Sequence, residues 1–216
     1  MFLNRADIES IDARIATIEA ATGVEIVTAV IGKADAYPEL PWTAFAAGAS
    51  LAALGTVAAD ALRPDWTSAH AALVAAVTIL GAGGACALAA IFVPAFARLF
   101  LRAARRDAEV LQYARALFLE RELFRTRRRT GILLLVSLFE RRIELLPDVG
   151  FGDRIEAADW HRVVASMMPA LADRRPAAAL LEGLDGVADL LARSGCSAGA
   201  DDVNELPDQP IELKGE

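Results

Sequence analysis

Two stretches of this chain carry no charge at all, and they limit what it can fold into more than any other feature. Leu40 to Ala59 reads LPWTAFAAGASLAALGTVAA, and Ala71 to Ala97 reads AALVAAVTILGAGGACALAAIFVPAFA. About 20 apolar residues cross the hydrocarbon core of a bilayer as a helix, so both runs are long enough. The first is rich in Ala and Gly and ends at Asp60, a costly residue in lipid unless it reaches the headgroups. Between the runs, DALRPDWTSAH supplies a turn at Pro64 and places Trp66 where an interfacial aromatic sits. The competing explanation is a pair of core helices in a soluble protein. The length and charge-free character of the second run favour a transmembrane hairpin over residues 42–99. Gly81, Gly84 and the alanines around them would let the two helices approach closely. GAGG has no strand before it and apolar residues on both sides, so it does not read as a phosphate loop.

Arginine orients the hairpin. Arg98, Arg102, Arg105 and Arg106 follow the second run, whereas the short loop holds only Arg63. Basic residues collect on the cytoplasmic side, which predicts a multi-pass protein of the cell (inner) membrane with both termini cytoplasmic. The N-terminal MFLNRADIESIDARI lacks the apolar core of a signal peptide. Elsewhere the chain excludes more than it assigns. Its net charge of −7 argues against nucleic acid as a partner, because phosphate contacts need a basic surface. Cys86 and Cys196 are too few for a disulfide framework, and with only His70 and His161 beside them they cannot assemble a zinc site.

Outside the hairpin the periodicities alternate between helix and strand. Ile8, Ile11, Ile15 and Ile18 recur at helical spacing over residues 7–20, and EIVTAVIG then reads as a β-branched strand. Residues 103–125 form a charged helix with Val110, Ala114, Leu117 and Phe118 along one face. ILLLVSL, residues 132–138, is a strand of the kind buried on both faces; FERR turns the chain into a partner strand through Ile143, Leu145 and Pro147. Two amphipathic helices follow. One runs from about Ala157 to Leu171 with Trp160, Val163, Val164, Met167 and Met168 inward. The other starts at Pro176 and carries Leu180, Leu181, Leu184, Val187 and Leu191. The tail from Cys196 is acidic, contains proline and is expected to be irregular. One strand before the hairpin and two after it cannot bury their faces separately. The expected fold is therefore α/β: one small sheet flanked by helices, built from residues 1–41 and 100–195, interrupted by the hairpin at 42–99 and followed by the tail 196–216.

Three stretches carry a likeness to a known family. They are TGVEIVTAVIGKADAYPE, RTRRRTGILLLVSLFERRIELLPDVGF and DDVNELPDQPIEL. In this order they resemble the TPM domain family (TPM phosphatase domains), and within it the bacterial branch in which a membrane hairpin interrupts the domain. The chain departs from the family pattern in reading Gly-Val-Glu for Ser-Gly-Glu, and DVGFGDRIEAADW where many members have a GYG-type loop and a Leu-Pro-Asp run. The resemblance implies a TPM-like α/β domain. It also implies two properties described for some members: weak phosphatase activity, and divalent-metal binding in loops at the strand ends.

The residues themselves offer two candidate sites. Asp35 follows the first strand, and Asp148 and Asp153 follow the third; if those strands run in the same direction, the three carboxylates meet at one sheet edge. Such oxygen ligands suit Ca²⁺ or Mg²⁺, which could polarise a phosphoryl group. The competing reading is that they are turn carboxylates. Arg125, Arg127, Arg128 and Arg129 form a second cluster at the entry to the buried strand. They suit an anionic lipid headgroup at about 1 kcal/mol per residue near a membrane surface, or a specific phosphate ligand. No aromatic side chain is interleaved for base stacking. No Ser or Cys lies in a nucleophile motif. The expected function is a membrane-anchored module at the cytoplasmic face that binds the bilayer and a protein partner, or self-associates through the hairpin. The alternative is a weak metal-dependent phosphatase.

Overall fold

Ile26–Ile31 and Ile132–Ser137 lie on either side of the long apolar insertion, yet they pair in parallel, residue for residue from Ile26 with Ile132 to Ile31 with Ser137. A computed structural model of the chain describes residues 2–62, 69–196, 210–213 and 215, with the backbone alone at Ala69 and Asp153. In chain order its elements are α1 (Arg5–Thr22), β1 (Ile26–Ile31), α2 (Glu39–Leu62), α3 (Ala69–Phe92), α4 (Pro94–Ala97), α5 (Ala103–Glu120), β2 (Ile132–Ser137), β3 (Arg142–Pro147), α6 (Ala157–Ala172), α7 (Pro176–Arg193) and β4 (Ile211–Leu213). The turn residues Arg63, Pro64 and Trp66 lie outside the described residues. The chain divides into two compact units: Met1–Asp35 with Arg106–Glu216, and Ala36–Arg105.

The first unit is a three-layer α/β domain. Its sheet has the order β3-β2-β1-β4. Every residue of β1 and β2 is buried, as continuous apolar strands require when both faces are covered. On one face Ile26, Val30, Ile132, Leu134 and Val136 pack against Ile11, Ile15 and Ile18 of α1 and the inward residues of α6 and α7. On the other, Val27, Ala29, Ile31, Leu133 and Leu135 pack against Val110, Ala114 and Leu117 of α5. Helix α1 starts at a capping box in which Asn4 and Asp7 satisfy each other's backbone N–H groups (2.9 and 3.0 Å).

Two findings differ from the sequence expectation. The tail is not wholly irregular: Ile211–Leu213 adds a fourth strand, parallel to β1. Glu212 on that strand accepts the backbone N–H groups of Phe2 (2.7 Å) and Leu3 (2.5 Å), tying the two ends of the chain together. The second concerns direction. β3 is antiparallel to β2, with Pro147 opposite Ile132, so it also runs opposite to β1.

The second unit is a helical hairpin. Its seam is set by Gly48 and Gly83 rather than by the expected Gly81 and Gly84. A Cβ at Gly48 would come 2.6 Å from Cys86 Sγ and 2.9 Å from the Ala82 carbonyl, and one at Gly83 would come 2.8 Å from the Phe45 ring. Cβ atoms at Gly81 and Gly84 would meet nothing. Away from the seam the large apolar side chains are exposed, among them Leu54 at 67% and Leu80 at 63%.

Two polar groups in the α/β domain are placed at a cost. The hydroxyl of fully buried Thr28, in mid-β1, finds no hydrogen-bond partner among the described residues. Thr28→Val should therefore raise stability by about 1–3 kcal/mol, read in denaturant unfolding. Glu144 on β3 has its pKa raised, chiefly by burial; Arg142 opposes the shift and Asp107 adds to it. A raised carboxyl pKa means the folded state favours the protonated form. That contribution is present at low pH and lost as pH rises through the folded value. Glu144→Gln should raise the unfolding temperature at pH 7, with the gain disappearing below about pH 4.

Candidate functional site

The loops at the end of the sheet where β1 and β2 begin and β3 finishes are built around Gly150. The chain approaches β2 through a turn in which the Arg129 N–H donates to the Thr126 carbonyl (3.0 Å) and the Thr130 N–H to Thr126 Oγ1 (3.0 Å). Arg129 adopts a left-handed conformation, φ +56°. That is a strained geometry for a side chain of this size and persists only where its surroundings enforce it. Here they do. Its guanidinium grips Asp148 with two hydrogen bonds, Nε to Oδ2 at 2.7 Å and Nη2 to Oδ1 at 3.0 Å, and its carbonyl accepts from Gly150 N at 2.7 Å. The Asp148 hydrogen bonds hold the Arg129 pKa above its ordinary value. Asp148 is buried, and its Oδ1 also accepts from Val149 N (2.7 Å).

Gly150 allows this closure. A Cβ there would collide with the carbonyl oxygens of Arg128 and Arg129. The Gly150 carbonyl in turn accepts from Arg154 Nη2 at 2.7 Å. The short helical segment Val149–Arg154 is pinned to the core by Phe151, whose ring meets Trp160 of α6 edge-on at 5.4 Å. Gly150 thus locates two arginines, Arg128 through its main chain and Arg154 through its side chain. Both line a cleft of about 210 Å³ with Thr22, Gly23, Val24, Thr130, Gly195 and Cys196.

The expected carboxylate cluster does not form. Because β3 runs against β1, Asp148 lies beside the start of β1 and Asp35 beyond its far end. Six residues of strand separate them, roughly 20 Å. Asp153 is in the Val149–Arg154 segment near Asp148, and its side chain lies outside the described residues. Among the described residues no group of three or more His, Cys, Asp or Glu comes together. Asp148 meets a guanidinium and an amide. The arginine cluster also divides: Arg129 holds Asp148, Arg125 pairs with Glu122 at 2.6 Å, Arg128 lines the cleft and Arg127 is exposed beside it. The sequence pattern does not single out Arg154 or Thr130. Their only signal was proximity to the strand ends, which does not say which side chains share a cavity.

Comparison with known proteins fits this architecture. The TPM domain profile matches residues 70–190, more than half of the chain. The chain belongs to the TPM domain family. The matched residues run from α3 through the β2–β3 hairpin and the Gly150 loop into α7, so the Asp148–Arg129 clamp lies within the TPM match. Among solved structures, the chain is similar to the BA42 protein from the psychrophilic bacterium Bizionia argentinensis. The identity is 14%, the TM-score 0.58, and the alignment covers 98% of this chain and 96% of that one; at that identity the likeness is one of fold. No curated protein matches.

The close approach at Gly150 generates a test. Gly150→Ala should destabilise the α/β domain by about 1–3 kcal/mol through overpacking, measured by unfolding against the parent chain. Asp148→Asn should also lower the unfolding temperature, because an amide cannot accept both guanidinium hydrogen bonds.

Proposed function

We propose that this TPM domain protein is membrane-anchored, with α2 and α3 inserted in the bilayer and the α/β domain acting as an interaction or assembly module on the cytoplasmic side. The observation that carries the reading is the exposed apolar surface of the hairpin. Leu51, Leu54, Val57 and Leu62 on α2, and Leu73, Val77, Leu80, Leu88, Ile91 and Phe92 on α3, are all exposed. Both helices are long and apolar enough to span a bilayer. An apolar surface of this extent would be an association liability in water and is the normal exterior of a span in lipid. The helix seam is close-packed through small residues, as membrane helix pairs are. Arg98, Arg102, Arg105 and Arg106 after the second helix support a cell-membrane topology with both termini cytoplasmic.

The non-catalytic part of the reading rests on Asp148. As a ligand for Mg²⁺ or Ca²⁺ in a weak metal-dependent phosphatase, its carboxylate would first have to release Arg129. With Asp148 held inside the loop, the domain presents its strand-end loops and arginines, which suit recognition of a partner.

In a bacterial expression host the full chain should remain with membranes after washing in alkaline carbonate. Leu80→Arg should weaken insertion by about 2.5–3.5 kcal/mol and shift part of the protein to the soluble fraction. Complete release of the unaltered chain by carbonate would refute the anchoring. A reporter enzyme active only after export should stay inactive when fused to the C-terminus.

A further inference from the structure

We infer that the edge of β1 away from β2, with the first residues of the chain beside it, is a strand-accepting site for the chain's own C-terminal segment, and that it takes this segment from a second copy as well as from its own chain. Such exchange supplies a contact for the proposed assembly module; it rests on that part of the reading and not on insertion of the hairpin. Three contacts define what the site accepts. Ile211–Leu213 pairs in parallel with Ala29–Ile31, and Gly32 N donates to the Leu213 carbonyl at 3.1 Å, so the ligand is an extended peptide added to a sheet edge. Ile211 and Leu213 pack on the apolar face that β1 shares with α5. Glu212 between them accepts from Phe2 N at 2.7 Å and Leu3 N at 2.5 Å. Gly215 adopts φ +73°, and a Cβ there would collide with the Lys33 carbonyl. The accepted pattern is therefore apolar, acidic, apolar, any residue, glycine.

The acceptor is held in place by contacts that do not involve the tail. β1 is fixed along its full length by β2, Leu3 is buried in the core, and the Asn4–Asp7 capping box sets the start of α1. Two main-chain donors are thereby aimed at an acid in advance, and preorganised donors lose less entropy on binding. The ligand is held more lightly. Its strand has three residues, none of them fully buried, which places it among the segments that open most readily. These contacts are all made by residues 211–215, so a tail arriving from a neighbouring copy makes the same ones. Residues 197–210 join this strand to the end of α7; fully extended, such a length reaches about 45 Å, enough to cross to an adjoining domain with a radius of gyration of about 15 Å. Two exchanged strands close a symmetric dimer. The chain's own tail competes at an effective concentration in the millimolar range, so exchange is favoured where copies are held at similar local concentration.

The probe is the synthetic peptide PIELKGE, residues 210–216, with a fluorophore at its amino end. The acceptor is the full chain in detergent carrying Gly215→Val, which keeps its own tail from docking. The peptide should bind this chain saturably, and the parent chain more weakly because the resident tail competes. A peptide with Glu212→Gln should lose roughly tenfold in affinity, since the charge on two hydrogen bonds is removed, and one with Gly215→Val should not bind. Unfolding temperatures identify an acceptor that has lost its fold; a Glu212→Gln chain, more mildly altered, serves as a second acceptor. Exchange is read by co-expressing in a bacterial host a chain with a photo-crosslinking residue in place of Lys214 and a tagged chain without it. Irradiation should yield a crosslinked dimer that contains the tag, and Gly215→Val in the photoreactive chain should abolish it. Absence of saturable peptide binding to either folded acceptor overturns the site. Peptide binding without the crosslinked dimer, or a dimer indifferent to Gly215→Val, overturns the exchange; both results leave assembly through another surface untouched.

Discussion

The parallel pairing of β1 with β2 is the contact on which the rest of the structure depends. These are the two central strands, and the chain between them makes the whole excursion through the hairpin and α5. Closing so long a loop costs entropy, though the cost grows only logarithmically with length. What offsets it is burial on both sides of the strand pair. All twelve positions of β1 and β2 are buried, between α1, α6 and α7 on one face and α5 on the other. Neither half of the domain could cover those faces alone. The hairpin is therefore an insertion into a folding unit whose two parts require each other.

Carboxylates close the sheet at both ends, and they do so by accepting hydrogen bonds. At the end where β1 and β2 finish, buried Glu140 accepts from Ala34 N at 2.9 Å and from the Ser137 hydroxyl, joining the turn after β2 to the loop after β1. At the other end Asp148 holds Arg129 and Val149. At the β4 edge Glu212 holds the start of the chain. Glu140 and Asp148 are acids beside strand ends, the position from which a metal ligand would be inferred by sequence. In the fold each already has donors. A buried carboxylate satisfied by amides and a guanidinium is a structural tie, and pulling it toward a cation would leave those donors unsatisfied.

Much of this was legible in the sequence because it rests on local periodicity. The isoleucines of α1, the continuous strand ILLLVS, the FERR turn and the apolar faces of α6 and α7 all appear where their spacing places them. What escaped rests on long-range geometry. Ile211–Leu213 alternates apolar, acidic, apolar over only three residues, too short a run to mark a strand, and it is a strand only because β1 offers it an edge. The FERR turn made β2 and β3 antiparallel in advance, but the direction of β1 was open, since it depends on the crossover through the hairpin. That one unknown put Asp35 on the wrong side of the sheet. Likewise, four arginines in one loop look equivalent in sequence; Asp148, Glu122 and Gly150 give them different roles.

Open α/β sheets usually bind ligands beyond the carboxyl ends of their parallel strands, where neighbouring connections diverge. In this domain that end has another use. β1 finishes there and the chain leaves at Asp35. α5 also begins there, as the ion pair of Asp107 with Arg142 at the start of β3 shows (2.9 Å). Glu140 seals the turn between them. The strand-start end is the one relieved of that duty. α5 runs the length of the domain, about 27 Å over its 18 residues, and delivers the arginine loop to that far end. There Gly150 brings Arg128 and Arg154 to one cleft. An insertion at the carboxyl ends of the strands thus shifts the available recognition surface to the amino ends.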